Sequence, residues 1–596
     1  MASTDRKAIS SIVSDLGKDR GRLMDIAQRV QRQFGYISED SMEAIAEALG
    51  IPLVEVRDMV TFYSFLEPKP VGKNVIRLCN AVVENLNGAR DVAQAFEREA
   101  GCGFGETSSD GAVTLEYTPC IGMSDQSPSA LINGIPVTRI CPEDVPGILK
   151  DLKGGKKYAA EKLENADPSS MVENNLHKQG EVIFAPFKNG SGIRAAVNMS
   201  PEEVIGVVTD SKLRGRGGAG FPTGMKWNFC RKSKGDNHYV ICNADEGEPG
   251  TFKDRVILTE AADMVFEGMT IAGYSLGATE GYMYLRGEFA YLKNHLEQVL
   301  DRRRHLGLLG ENIAGQSGFN FDIRIQVGAG AYVCGEESSL LESLEGKRGA
   351  PRDRPPFPVT DGYLHQPTSV NNAETFCCAA RILEKGADWF TKIGTKDSTG
   401  TKLLSISGDC EKPGVYEVEW GLTIDDMLEM VGAKNAQAVQ VGGASGTCVA
   451  PKDFGRKICF EDLPTGGSVM IFNKDRDLLG IVKEFCEFFI EESCGWCAPC
   501  RVGTTLLLKG LEKVMEGKGT EQDLDALEKL GKTVEMMSRC GLGQTAPKPI
   551  LTTLQNFRTL YTSKTVSADF IPPFDYEAAL APGIEIAGRE PVEEEE

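Results

Sequence analysis

No run of about eighteen apolar residues occurs in the chain, so no segment of it is expected to span a membrane. The most apolar stretch, around 257–275, is interrupted by Glu260, Asp263 and Glu267 and reads as a packed helix and turn. The start, MASTDRKAISS, is polar and lacks the apolar centre of a secretory signal. Positive charge is scarce: the formal net charge is −21. That balance offers no broad basic face to a phosphate backbone and excludes a nucleic-acid binder, although small basic sites remain open. The 17 cysteines are odd in number and follow no signal, so they do not read as a disulfide framework. Cys242, Cys334, Cys377, Cys378 and Cys486 read as small buried hydrophobes.

What is present divides into several domains. At about 100–200 residues per domain, 596 residues imply about three to five. The periodicity predicts a multidomain α/β chain. Residues 1–70 form a helical segment: RLMDIAQRVQRQFG and SEDSMEAIAEALG carry apolar residues at helical spacing, with Ser38 or Asp40 as a cap and Pro52 opening a third helix. Residues 71–156 read as a small α/β domain of thioredoxin size, with strands NVIRLCN and AVTLEYTPC and a hairpin at Asn133-Gly134. A polar linker is expected at 157–190 and a larger α/β domain at 191–395. A glycine-rich β module of β-grasp type follows at 396–475. A helical domain is expected at 476–580 and an acidic tail at 581–596.

Four stretches carry chemistry. LRGRGGAGFPTGMKW places Gly215, Gly217, Gly218, Gly220 and Gly224 within ten positions, flanked by Arg216 and Lys226. Glycine lets backbone N–H groups approach an anion closely. The loop reads as a phosphate cradle or as a flexible surface loop, and it does not close on the GK[ST] of a P-loop. NADEGEPGTFKDR ends a strand with Asp245, Glu246 and Glu248, carboxylates that are costly to bury without donors. Ribose hydroxyls and flavin-ring polar atoms are such donors; a solvated acidic loop is the alternative. GAGAYVCGEESSLLESLEG sets Tyr332, Glu336 and Glu337 at a turn before a helix. Three such loops in one α/β domain fit a crevice at strand ends. Phe221, Phe229 and Phe357 are candidates to stack on flat rings, or are ordinary core.

The fourth stretch, ESCGWCAPCRVG, holds Cys494, Cys497 and Cys500, with Cys540 forty residues on. Three thiolates in one turn plus a distant fourth suit a cubane iron–sulfur cluster. A structural zinc is the rival, but it commonly uses two paired CxxC knuckles. A nucleotide-sensing scaffold with such a zinc would explain the glycines and leave the acidic loops unused. The N-terminal cysteines are sparse, and Cys79, Cys102, Cys120 and Cys141 do not by themselves make a cluster site.

Together these stretches resemble the NADH-binding flavoprotein subunit of respiratory complex I, over about residues 190–580. The same module occurs in NAD-dependent formate dehydrogenases and NAD-reducing hydrogenases. Residues 10–155, with VTFYSF at 60–65, resemble the thioredoxin-like subunit that is a separate chain in complex I. The resemblance implies a Rossmann-like FMN- and NAD-binding domain, an SLBB module of β-grasp type and a C-terminal helical bundle with a 4Fe-4S cluster. It implies FMN phosphate and ring contacts for Gly215, Arg216, Gly217, Gly218, Ala219, Gly220, Lys226, Asn243 and Asp245. It implies further flavin-side or nucleotide-side contacts for Glu246, Tyr332, Gly335, Glu336, Glu337, Asn371, Asn372 and Thr375. Phe221, Phe229 and Phe357 are implied to hold NAD(H) with Glu248 as its polar partner. Cys494, Cys497, Cys500 and Cys540 are implied as the 4Fe-4S ligands, and no residue is assigned as acid or base.

One departure stands out. The thioredoxin-like family holds a 2Fe-2S cluster on two cysteine pairs. Here Cys79 and Cys120 match one member of each, and Glu84 and Ser124 occupy the other two positions. Replacing soft thiolates with oxygen donors disfavours such a cluster, so no N-terminal 2Fe-2S cluster is expected. The fusion and this loss together resemble the diaphorase flavoprotein subunits of soluble, cytoplasmic NAD-reducing nickel–iron hydrogenases. That resemblance implies an iron–sulfur partner subunit and, through it, the hydrogenase small and large subunits. A formate-dehydrogenase or complex I-type flavoprotein subunit is the alternative.

Overall fold

Apolar spacing at the N-terminus yields helices where it predicts them: Leu23–Phe34, Glu39–Leu49 and Leu53–Phe62. The cap of the second is Ser38, whose hydroxyl accepts from Ser41 N–H at 3.1 Å. The computed structural model describes residues 3–155, 158, 168–567 and 576–588. Residues 589–596 of the expected tail, and 157 and 159–167 of the expected linker, lie outside them. Residues 581–587 belong to a helix, Tyr576–Ala587, rather than to a tail. Among the described residues no helix is long and apolar enough to cross a membrane.

Fourteen strands are described. β1 (Asn74–Cys79), β2 (Val113–Thr118), β3 (Ala130–Ile132) and β4 (Ile135–Val137) form a four-stranded sheet in the order β2-β1-β3-β4. β5 (Leu176–Lys178) comes from the expected linker and closes the edge of another sheet. β6 (Tyr239–Ala244), β7 (Glu280–Leu285), β8 (Asp322–Val327) and β9 (Thr368–Asn372) form a wholly parallel sheet in the order β8-β7-β6-β9. The glycine-rich module contributes β10 (Thr401–Gly408), β11 (Gly414–Glu419), β12 (Ala436–Val441), β13 (Thr447–Val449) and β14 (Ser468–Asn473). With β5 they run β13-β12-β14-β10-β11-β5. Helices Leu478–Glu491, Ala498–Met515, Glu521–Met537 and Lys548–Asn556 complete the chain's last core.

The parallel sheet positions the rest. Its residues alternate between faces, as period-two side chains must. Val240, Cys242 and Ala244 of β6 enter one core, under helices Ala262–Leu276 and Ala373–Lys385. Tyr239 and Ile241 enter another, shared with Leu23, Ile26, Val30, Met59 and Val60. A parallel sheet needs both faces covered, and here the second cover is the N-terminal helical segment. Hydrogen bonds pin it: Ser64 and Phe65 N–H donate to the carbonyls of Gly330 and Ala329 at 3.1 and 3.0 Å. Tyr63 donates to Ser343 Oγ at 2.8 Å.

The thioredoxin-like domain is also anchored from within. Arg255 and Asp125, both fully buried, pair at 3.0 Å across the boundary. Removing one member of such a pair leaves an uncompensated buried charge. Asp125→Ala is therefore expected to destabilise the docked domain by about 3–5 kcal/mol. Calorimetry of the full chain checks it, and an unshifted unfolding profile contradicts it.

Candidate functional site

In the parallel sheet the chain moves from β6 outward to β7 and β8, then returns to the other side of β6 as β9. A ligand crevice is expected beyond the carboxyl ends of the strands at such a reversal. The structure has one there, with about 1410 Å³ of open space. Asp245 leaves β6 and Asn372 ends β9; both line it. The glycine loop reaches in with Gly217, Gly218 and Ala219, and the third loop with Tyr332, Gly335 and Glu336. A side chain at Gly217 would press on Asn372 at 3.3 Å, and Gly218 has φ +120°. Backbone alone fits there, as an anion cradle requires.

Three carboxylates of one loop line the crevice, and burial raises the pKa of each. Asp245 is held well above the usual range and receives no hydrogen bond on its carboxylate among the described residues. Glu246 is pushed up to about 7 by burial and by Asp254, although the N–H groups of Asp254 and Arg255 donate to it. Glu248 is raised by burial against donors from Tyr332 and Ser445. A buried carboxylate without a donor calls for one from a ligand. The hydroxyls of a sugar chain and the ring N–H of a flavin fit the site.

Other expected contacts are placed differently. Arg216 turns its guanidinium away from the crevice onto the carbonyls of Thr399, Thr401 and Arg214, and its own N–H donates to Thr375. Gly215 and Gly220 shape the loop from behind, through Gly215 N–H to Phe221 C=O and the φ +64° of Gly220. Lys226 pairs with Glu337 at 3.0 Å, and Asn371 accepts from Trp227 Nε1. Asn243 donates to Gly335 C=O at 2.8 Å, tying the second loop to the third. Phe221, Phe229 and Phe357 are half exposed and line no part of the crevice interior.

Lys253 also lines the crevice, buried among Asp254, Glu374 and Asn372. Further walls come from Gly442, Ser445 and Thr465 of the β module and from Leu542, Thr545 and Lys548 of the helical domain. The paired glycines of QVGGASG were the available signal for the β-module wall; the last three carried none.

The four clustered cysteines line a second, small cavity together with Trp496 and Arg539, which stack at 4.9 Å. Cys497 is the residue that precedes the helix Ala498–Met515, and Cys500 lies in its first turn. Among the described residues no three potential ligands converge on a point fit for a single metal ion. Three thiols of one turn and a distant fourth line the same pocket, the arrangement that a four-iron cluster needs. Val333 and Leu542 line both cavities, so the two sites share a wall.

Comparison with known proteins agrees with this geometry. Residues 208–381 match the Nuo51 FMN-binding domain, 480–564 the NADH-ubiquinone oxidoreductase-F iron–sulfur binding region, and 9–153 the thioredoxin-like [2Fe-2S] ferredoxins. The chain is 49% identical over 590 residues to the NAD-reducing hydrogenase HoxS subunit alpha of Cupriavidus necator, covering 96% of this chain and 97% of that one. The chain belongs to that family of hydrogenase alpha subunits. The NADP-reducing hydrogenase subunit HndC of Solidesulfovibrio fructosivorans is 44% identical over 63% of this chain and 79% of its own. A crystal structure of an H2-reduced NAD+-reducing [NiFe]-hydrogenase superposes with a TM-score of 0.87 at 36% identity, over 96% of this chain and 98% of that one.

The match of residues 9–153 overturns the expectation of no N-terminal 2Fe-2S cluster in this alpha-subunit relative. The physical reason is that the scaffold survives the loss of two thiols. Cys79 and Cys120 are buried together on one groove. Ser124 Oγ lies 3.6 Å from Cys120 Sγ, and Glu84 is buried beside Cys79. Glu84 accepts from Ser129 N–H and Oγ at 2.8 and 2.9 Å. Two sulfurs and two oxygens thus occupy the family's four positions, and counting thiols alone gave that retained arrangement no weight.

Replacing any one of Cys494, Cys497, Cys500 or Cys540 with Ala is expected to cost the chain about four iron atoms. Reduction of its flavin by NADH should survive. Wild-type iron content in all four variants contradicts the ligand set.

Proposed function

We propose that this chain is the NAD(H)-reactive diaphorase subunit of a cytoplasmic NAD-reducing hydrogenase. The observation that carries the reading is the shared wall: a crevice built for a phosphate-bearing flat-ring ligand abuts a cavity ringed by four cysteines. FMN bound in the crevice supplies the exchange between the electron pair of a hydride and the single electrons that a cluster accepts. The glycine loop receives the phosphate. Asp245 and Glu246 accept hydrogen bonds from hydroxyl and ring N–H groups. Glu248 and the faces of Phe221, Phe229 and Phe357 hold the nicotinamide nucleotide. Cys494, Cys497, Cys500 and Cys540 hold a 4Fe-4S cluster one wall away. No side chain needs to move a proton for hydride exchange.

On the helices and turns beside the cluster cysteines, Trp496, Val502, Leu506, Met536 and Met537 are exposed, Met536 at 76%. An exposed apolar group rimming a redox site marks a protein interface. It fits the iron–sulfur subunit through which electrons reach the hydrogenase subunits. The double substitution Met536→Glu, Met537→Glu is expected to slow electron delivery to that subunit about tenfold or more. Turnover with a small soluble acceptor should be unchanged. Equal loss in both assays contradicts the docking face.

The absorbance spectrum of the purified complex tests the function itself. A flavin band over broad iron–sulfur absorption, bleached by NADH without oxygen, is the expected result; a colourless protein overturns it. The acidic loops also disfavour a 2′-phosphate. NADH is expected to give the higher kcat/KM, and a preference for NADPH in steady-state kinetics overturns that assignment.

A further inference from the structure

We infer that the loop of residues 442–446 in the β module is a positioning device for Glu248, with Ser445 as the positioning residue for nucleotide binding. The inference rests on the assignment of Glu248 to the nucleotide.

Two stretches of the module, 442–447 and 464–466, reach the crevice wall, and the first closes on Glu248. After β12 the chain runs through Gly442 (φ +96°) and Gly443 (φ +68°). A Cβ at Gly443 would stand 2.4 Å from Glu248 Oε1, so only glycine lets the loop close on the carboxylate. Gln440 holds the turn from beneath, donating to Gly443 C=O at 2.7 Å. Ser445 then donates twice to Glu248: its N–H to Oε1 at 2.8 Å and its hydroxyl to Oε2 at 2.9 Å. Tyr332 donates to the same Oε2 at 2.6 Å. Thr545, in the short helix that follows Cys540, places its hydroxyl 3.1 Å from Ser445 Oγ while also reaching Gly541 C=O at 2.8 Å.

Three parts of the chain therefore meet at one carboxylate. Glu248 leaves the flavin-domain loop, Ser445 comes from the β module and Thr545 from the cluster domain. A carboxylate held by three donors keeps one orientation, and those donors work against the burial that raises its pKa. The other groups facing it are the Tyr332 phenol and the Lys548 ammonium, with Glu492 behind Tyr332, accepting from its N–H at 3.0 Å. Removing the serine hydroxyl takes away one donor to the ionised form, so Glu248 would hold its proton to higher pH.

The test uses the purified holo-complex, NADH and a small soluble acceptor. Ser445→Ala is expected to raise KM for NADH about tenfold, the effect of one charge-assisted hydrogen bond, with kcat changed less than about twofold. The acid limb of kcat/KM should move to higher pH, FMN content should stay at the wild-type value, and Ser445→Thr should restore both readings. Glu248→Gln is measured alongside. If Glu248→Gln raises KM while Ser445→Ala moves neither KM nor the acid limb, the positioning role is wrong. If Glu248→Gln leaves KM unchanged, the assignment of Glu248 to the nucleotide is wrong, and the inference falls with it.

Discussion

A parallel sheet cannot leave either face in water, and much of this molecule answers that constraint. β6 through β9 send alternate side chains into two separate cores. One cover comes from helices of the same domain. The other is recruited from the first seventy residues, far away in sequence. Once both faces are closed, the sheet still opens beyond its strand ends. There the reversal between β6 and β9 leaves a crevice, and every chemical group of the site is hung on its rim.

The rim is expensive in a way that has a purpose. Three carboxylates stand in a buried loop, and among the described residues none has a directly paired cation. Instead they are managed one at a time. Backbone N–H groups hold Glu246, side-chain hydroxyls hold Glu248, and Asp245 is left to a ligand. Two nearby cations are paired with other carboxylates, Lys253 with Asp254 and Glu374 and Arg286 with Glu288, while Lys548 faces Glu248. A site furnished this way favours ligands rich in donors and discriminates against added negative charge.

Much of this could be read from sequence because certain residues advertise their geometry. The CxxCxxC run and Cys540 announce a ligand set by spacing. The glycine loop announces close backbone approach, and the strands β6 to β8 follow directly from apolar runs that end in glycine and acid. Other features had no local signature. Nothing at Arg216 reveals that its guanidinium turns toward Thr399 and Thr401, because that depends on a β module almost two hundred residues away. Ser445, Thr545 and Lys548 are ordinary residues until folding brings them to Glu248. The N-terminal cluster question was misjudged for a related reason: absent thiols are visible in sequence, whereas the packing that keeps Cys79, Glu84, Cys120 and Ser124 together is not.

The N-terminal helices have one more consequence, for assembly. They are synthesised first, yet the sheet face they cover is not complete until residue 372 has emerged. During synthesis their apolar faces must wait, unsatisfied, for a surface made hundreds of residues later. Because both are on one chain, that meeting is intramolecular and independent of protein concentration. In complex I-type proteins, where the corresponding thioredoxin-like part is a separate chain, the same contact requires two molecules to find each other. The fusion guarantees one cover for every flavin domain, and a truncated chain beginning after residue 190 would be born with an exposed hydrophobic face.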